Sequence, residues 1–290
     1  MNEPTQTTCA APLPFLGVLR VGGADAARFL QGQLTNDVQL LHDGRTQLAA
    51  CNTPQGRVIA LLRLREVDDA IYVLLPTELL ERVCTLLRRF VLRAKVELQI
   101  AAELQVGWIA SVTALPGTAS TQLVAFDYAP GRRVIAATPE TWRSIPGLAL
   151  ASAQPHTLDE WLAADIRDGQ PQVFAATSEA FIPQMLNLDL IGGISFSKGC
   201  YTGQEIVART QNLGRIKRRT FRYRVDGGTP PPPLASLLLE GAKVAEVLTS
   251  ATSDGRVELL AVTSLEAREQ VLTLEDGRSA APMDMAYKVP

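Results

Sequence analysis

The 290-residue sequence predicts an α+β protein of more than one domain that ends in a small β-barrel. Three observations predict it. Strand and helix signals mix along the first two-thirds of the chain. A proline run, PPPP at 230–233, admits neither helix nor a central strand. Beyond it, short apolar runs alternate with Gly, Asp and Ser turns, the spacing of a small barrel or sandwich. These readings place an α+β region, with two interleaved subdomains, at 1–215 and a β-barrel domain at 216–290.

Each element follows from local pattern. FLGVLRV (15–21) reads as a strand, and Asp25 stands where its carboxylate can cap a short helix over AARFLQGQL. TQLAACN and RVIALLRL flank TPQG (53–56), a hairpin with Pro and Gly at the bend, and DDAIYVLLP adds a strand. TELLERVCTLLRRFVLR (77–93) is the clearest helix: Leu80, Val83, Cys84, Leu87, Phe90 and Val91 share one face, and Glu78 precedes Arg82 by four. Cys84 lies within that stripe and reads as a small buried hydrophobe. VELQIA, QVGWIASV and TQLVAFDY read as strands. TLDEWLAADIRDG (157–169) returns to helix, with Thr157 and Glu160 spaced as a capping box and Gly169 and Pro171 as the stop. ASLLLEG, KVAEVLTS, RVELLAVTS and EQVLTLEDG supply the closing strands.

Composition narrows the function. The chain is 47% apolar and 20% charged with a net charge of −2, so bulk charge argues for neither nucleic acid nor membrane. The polar start, MNEPTQTTCA, has no apolar core of a signal peptide, and no apolar run approaches the ~18 residues of a membrane helix. A cytoplasmic location is expected. The four cysteines, Cys9, Cys51, Cys84 and Cys200, form no CxxC pair and are expected as free thiols. Only His42 and His156 are present, which leaves a zinc site built from several imidazoles out of reach and sets aside most nucleophile–histidine hydrolases. No bound metal is expected.

Two patches carry chemistry. In SKGCYTGQE (197–205) a cysteine sits between turn-forming residues, two after Lys198 and just before a helix opening near Glu205. A cation and helix N–H groups favour a thiolate, and Gly199 and Gly203 allow close approach of another molecule. Cys200 thus reads as a reactive thiol or soft-metal ligand, or more plainly as a small residue filling a tight turn. The second patch, RTQNLGRIKRRTFRYR (209–224), holds seven basic residues and no acid. Such runs are most often a solvated face. The alternative is an anion dock, with Phe221 and Tyr223 stacking on RNA or, on the opposite face, entering a core.

SFSKGCYTGQEIVART resembles the K-G-C-[FY]-x-G-Q-E motif of the YgfZ family of folate-binding iron–sulfur maturation factors, relatives of the glycine-cleavage aminomethyltransferase and of mitochondrial iron–sulfur assembly proteins. LRVGGADAARFLQGQLTNDV (19–38), NTPQGRVIALLRL (52–64) and FIPQMLNLDLIGGISF (181–196) are similar to the same family in order, so the likeness spans most of 15–224. The resemblance implies an aminomethyltransferase-like ring of domains with tetrahydrofolate or a reduced derivative at its centre. It implies a role in assembling or repairing iron–sulfur clusters of client enzymes, tRNA-thiolating radical enzymes among them, with assembly proteins as further partners. Carried over by position, the motif residues are Lys198, Gly199, Cys200, Tyr201, Gly203, Gln204 and Glu205, with Cys200 the required thiol and Lys198 beside it. Folate contacts by neighbourhood are Asn36, Arg57, Arg167, Gln184, Asn187 and Lys217. Where the aminomethyltransferases carry folate-site carboxylates, this chain has Ile59, Ala60 and Met185, which removes the acid/base groups for aminomethyl transfer. A one-carbon transferase with relocated groups, a direct RNA binder using 209–224, and a folate-binding scaffold with a structural cysteine are the competing readings.

Overall fold

A computed structural model describes residues 10–41, 44–109, 122–144, 157–212, 214, 216–253 and 255–290. Cys9, His42, His156 and Arg215, and the inner ends of the strands expected around 105–112 and 121–128, lie outside the described residues. The chain forms two compact units, each assembled from three stretches: 1–29, 38–47 and 62–156 in one, and 30–37, 48–61 and 157–290 in the other.

The first unit is built on antiparallel strands. β1 (Ala10–Pro12), β7 (Gln105–Ile109), β9 (Arg132–Ala137) and β8 (Leu123–Ala129) form a four-stranded sheet in that order. Its core of Ile109, Leu123, Ile135 and Ala137 is closed by Trp142 of α3 (Pro139–Ser144), whose indole N–H donates to the Gln105 carbonyl at 2.9 Å. β2 (Leu16–Gly22) lies between β5 (Ala70–Pro76) and β6 (Glu97–Ile100), and β5 also pairs with the second half of β4 (Val58–Val67).

The long helix α2 (Thr77–Val91) buries Leu79, Leu80, Val83, Cys84 and Leu87. The expected stripe stops there: Phe90 is 44% exposed and Val91 half-buried. The helix ends at Leu92, whose φ of 44° turns the chain away from the helical path. At the short helix α1 (Ala26–Gln31), the Asp25 carboxylate accepts from the Lys95 N–H at 2.8 Å and meets Arg28 at 3.2 Å.

The second unit contains the closed six-stranded barrel. Its strands run β10 (Arg218–Val225), β13 (Arg256–Ser264), β12 (Ala242–Ser253), β11 (Ser236–Leu239), β14 (Leu272–Leu274) and β15 (Ser279–Met283), and β15 pairs back onto β10. The closing strand β15, SAAPM, carries too weak an apolar alternation to be read from sequence. Phe221 and Tyr223 face the barrel interior with Val225, Leu237, Val247 and Leu259. Strand alternation puts the other faces of β12 and β13 outside, where Leu248, Ala251, Leu260 and Val262 pack with Leu162, Ala163 and Ile166 of α4 (Leu158–Arg167). Thr157 and Glu160 form the capping box of α4. β3 (Gln47–Asn52) turns into β4 through TPQG, where Thr53 N–H donates to the Arg57 carbonyl at 2.8 Å. Among the described residues no helix is long and apolar enough to cross a membrane.

Candidate functional site around Cys200

The thiol loop rests on a hydrogen-bonded layer of the second unit. Thr35, fully buried, ties three segments: its hydroxyl donates to Gly193 O at 2.7 Å and accepts from Ala50 N–H at 2.8 Å, and its carbonyl accepts from Ser195 N–H at 3.0 Å. Next to it, the Asn36 amide donates to Leu48 O and Gly192 O, each at 2.7 Å. These bonds fix the turn 31–37 against the hairpin and the 192–195 backbone.

Lys198 reaches into that turn. Its ammonium donates to the carbonyls of Gln31, Leu34 and Asn36, each at 2.7 Å. Three donors meet three acceptors, so the side chain is satisfied while only 8% exposed. Among the described residues no carboxylate touches it, and burial pushes its pKa down to about 8 from the ordinary 10.5, with the charge of Asp37 opposing. The Nζ also sits 5.0 Å from the centre of the Tyr201 ring. Among the described residues no hydrogen bond joins Lys198 to Cys200. The lysine pins the loop from beneath.

Above the pin, Cys200 is exposed. A side chain at Gly199 would meet nothing within 4 Å, so the thiol's N-terminal flank is open. On the other flank the chain is locked. Tyr201 N–H donates to Gln204 Oε1 at 3.2 Å, Gln204 N–H returns to Tyr201 O at 3.1 Å, and Thr202 N–H donates to Gly32 O at 3.2 Å. Gly203 has φ +81°, and a Cβ there would lie 2.5 Å from Thr53 O and 3.0 Å from the Gly56 Cα. The hairpin bend therefore seats directly on Gly203, where α5 (Gln204–Asn212) begins. Glu205 is exposed in the first turn of α5, where a carboxylate complements the helix dipole.

The candidate folate contacts fall into separate places. Asn36 belongs to the layer under Cys200. Gln184 and Asn187, both fully buried, belong to a network at the start of β10: Gln184 Nε2 donates to Val207 O at 2.7 Å and Asn187 Nδ2 to Thr220 O at 2.8 Å. Arg219 completes it with a two-pronged contact to Asp189 at 2.9 and 2.7 Å. Arg57 is exposed on the hairpin and donates to Ala180 O. Arg167 is exposed on α4, 3.2 Å from Ser253 Oγ, and Lys217 is exposed ahead of β10. Ile59 and Ala60 are buried apolar positions of β4.

Sequence reasoning missed Thr35, Asp189 and Asn52. Asn52 is 2% exposed, its amide oxygen and nitrogen both lack a hydrogen-bond partner, and its Cβ lies 3.2 Å from where a Gly203 side chain would begin. Its signal was a polar amide closing an apolar strand just before the bend. The strand 218–224, within the basic run read as a solvated face or, alternatively, an anion dock, is largely neutralised. Arg218 pairs with Glu246 at 2.9 Å, Arg219 with Asp189 at 2.7 Å and Arg222 with Glu258 at 2.8 Å, all acids distant in sequence.

No protein-family model matches the chain. It is 35% identical over 225 residues to "tRNA-modifying protein YgfZ" of Colwellia psychrerythraea, covering 71% of this chain and 68% of that protein. It is 32% identical over 240 residues to the protein of the same name from Klebsiella pneumoniae, covering 74% and 73%. Among solved structures, glycine cleavage system aminomethyltransferase T from Bartonella henselae superposes with a TM-score of 0.76 at 15% identity, over 96% of this chain and 85% of that one. That likeness establishes the aminomethyltransferase-like fold. The sequence relatives establish the lineage: the chain belongs to the YgfZ family.

Proposed function

We propose that this protein is a folate-binding accessory factor that supports assembly or repair of iron–sulfur clusters in client enzymes, tRNA-thiolating enzymes among them, with Cys200 as its working thiol. The observation that carries the reading is the setting of that thiol. It is exposed, open on the Gly199 side and held in place by a buried lysine and an interlocked glycine. A thiol placed so can offer its sulfur to the iron of a cluster presented by another protein without rearranging its own loop. Lys198 acts as a positioning residue. The name borne by the relatives, tRNA-modifying protein, supports a role in tRNA modification.

The fold family implies a reduced folate, which when bound carries one-carbon units on its nitrogens. Buried polar atoms without partners fit such a heterocycle in chemistry: the Asn52 amide offers an NH2 with two donor hydrogens and an acceptor oxygen, and Gln184 Oε1 a further acceptor. Of the other candidates, the side-chain N–H groups of Asn36 and Asn187 already serve the protein's own oxygens, whereas Arg57 and Lys217 remain exposed. An aminomethyl transferase is disfavoured, because Ile59, Ala60 and Met185 provide no acid or base.

The test is a titration of tetrahydrofolate into the wild type and Cys200→Ala, followed by tryptophan fluorescence or heat, beside a cellular assay of client-enzyme activity. Equal binding with lost client activity supports the accessory factor. Binding lost only in the variant moves the thiol into the pocket. No binding by either protein overturns the folate assignment.

A further inference from the structure

We propose that the exposed end of α2 and the turn after it, Arg88 to Lys95, form an RNA-binding surface that takes the phosphate backbone of a folded RNA. This goes beyond the accessory-factor reading and depends on neither folate nor Cys200.

Residues 82–95 hold five basic residues and no acid. Arg88, Arg89, Arg93 and Lys95 are all exposed, around a 44% exposed Phe90 and an 88% exposed Leu92. A basic residue in the last turn of a helix ordinarily complements the helix dipole and caps free carbonyls. Arg88 is engaged, donating to Leu98 O of β6 at 3.2 Å. Arg89, Arg93 and Lys95 exceed that need: among the described residues their side chains have no ion pair or hydrogen bond. The flanking acids are Glu81, earlier on α2 near Cys84, Glu97 on β6, and Asp25, which is engaged with Arg28 and the Lys95 N–H.

The contrast with β10 decides the location. The strand with the denser basic run is matched by acids on its neighbours, whereas the end of α2 is left positive. Planar guanidinium groups suit phosphate oxygens two at a time, and an aromatic ring at their centre offers a face for an unstacked base. A protein partner would need an apolar pocket rimmed by carboxylates. The run from Arg88 to Lys95, four basic residues and no acid, favours the polyanion.

Labelled unfractionated tRNA, titrated with the full-length protein between 50 and 200 mM KCl, tests the proposal by fluorescence anisotropy. Three to four phosphate contacts predict a log–log salt slope of about −3 and micromolar affinity at the low-salt end. Arg89→Glu with Arg93→Glu should weaken binding more than about tenfold and flatten the slope by about two, while Arg224→Gln changes neither. Should the double-Glu variant fail to fold by circular dichroism, Arg89→Gln with Arg93→Gln decides, with the same flattening expected. An unchanged slope in a folded variant overturns the proposal. So does absence of tRNA binding by the wild type, an outcome that assigns the patch to an acidic protein.

Discussion

Three residues of the thiol loop carry different burdens, and substitution separates them. Lys198 holds three carbonyls, so Lys198→Met strands them and should cost about 2–3 kcal/mol, read from urea midpoints. Its pH dependence has a definite sign. The folded pKa, about 8, lies below the ordinary 10.5, so between these values the unfolded chain binds the extra proton. Stability contributed through this group therefore rises with pH across that window, and below pH 8 the burial penalty on the charged form is fully present. Wild type minus Lys198→Met should widen from pH 8 to pH 10, and a flat difference sinks the assignment. The two glycines differ as sharply. Gly203→Ala forces a Cβ against Thr53 O at a left-handed φ and should lose more than about 2 kcal/mol. Gly199→Ala, with open space around it, should leave the thermal midpoint unchanged. If Gly199→Ala nonetheless impairs client activity, the open flank of Cys200 is an approach route.

At the scale of elements, the buried pair between Arg219 of β10 and Asp189 joins the barrel to the segment before the thiol loop. Their side chains are 5% and 8% exposed. Asp189→Ala leaves a buried guanidinium with only the Gln184 carbonyl and the Asn187 amide oxygen, at 3.1 and 3.3 Å, and should cost about 3 kcal/mol. A loss below 1 kcal/mol in denaturant titration shows that water reaches the pair. This element also marks where sequence reading ends. Periodicity located α2, α4 with its capping box, and the barrel strands other than β15, because those signals lie within ten or fifteen residues. The acids that neutralise β10 lie 28 and 36 residues further along or 30 before it, and only the tertiary fold brings them alongside. The thiol loop was legible as a motif; its support on residues 31–36, more than 160 positions away, was not.

At the scale of the molecule, the boundary expected at 215/216 can be put to direct test. The barrel has a closed hydrogen-bonded circuit and its own interior, which argues that 216–290 folds alone. Its outer face argues otherwise. Leu248, Ala251, Leu260 and Val262 are each fully buried in the intact chain, against a cluster that includes Leu162, Ala163 and Ile166 of α4. Cutting at 216 uncovers that apolar patch and leaves Arg219 without Asp189. Exposing several such side chains forfeits about 1.5–3 kcal/mol for each large one, comparable to the whole stability of a domain this small. The fragment 216–290 should therefore aggregate, or bind a hydrophobic dye without a cooperative thermal transition, while the full chain melts cooperatively. A soluble fragment with dispersed amide resonances would show that closure of the barrel alone suffices, and that α4 and the 184–189 segment are fastened to a pre-formed domain.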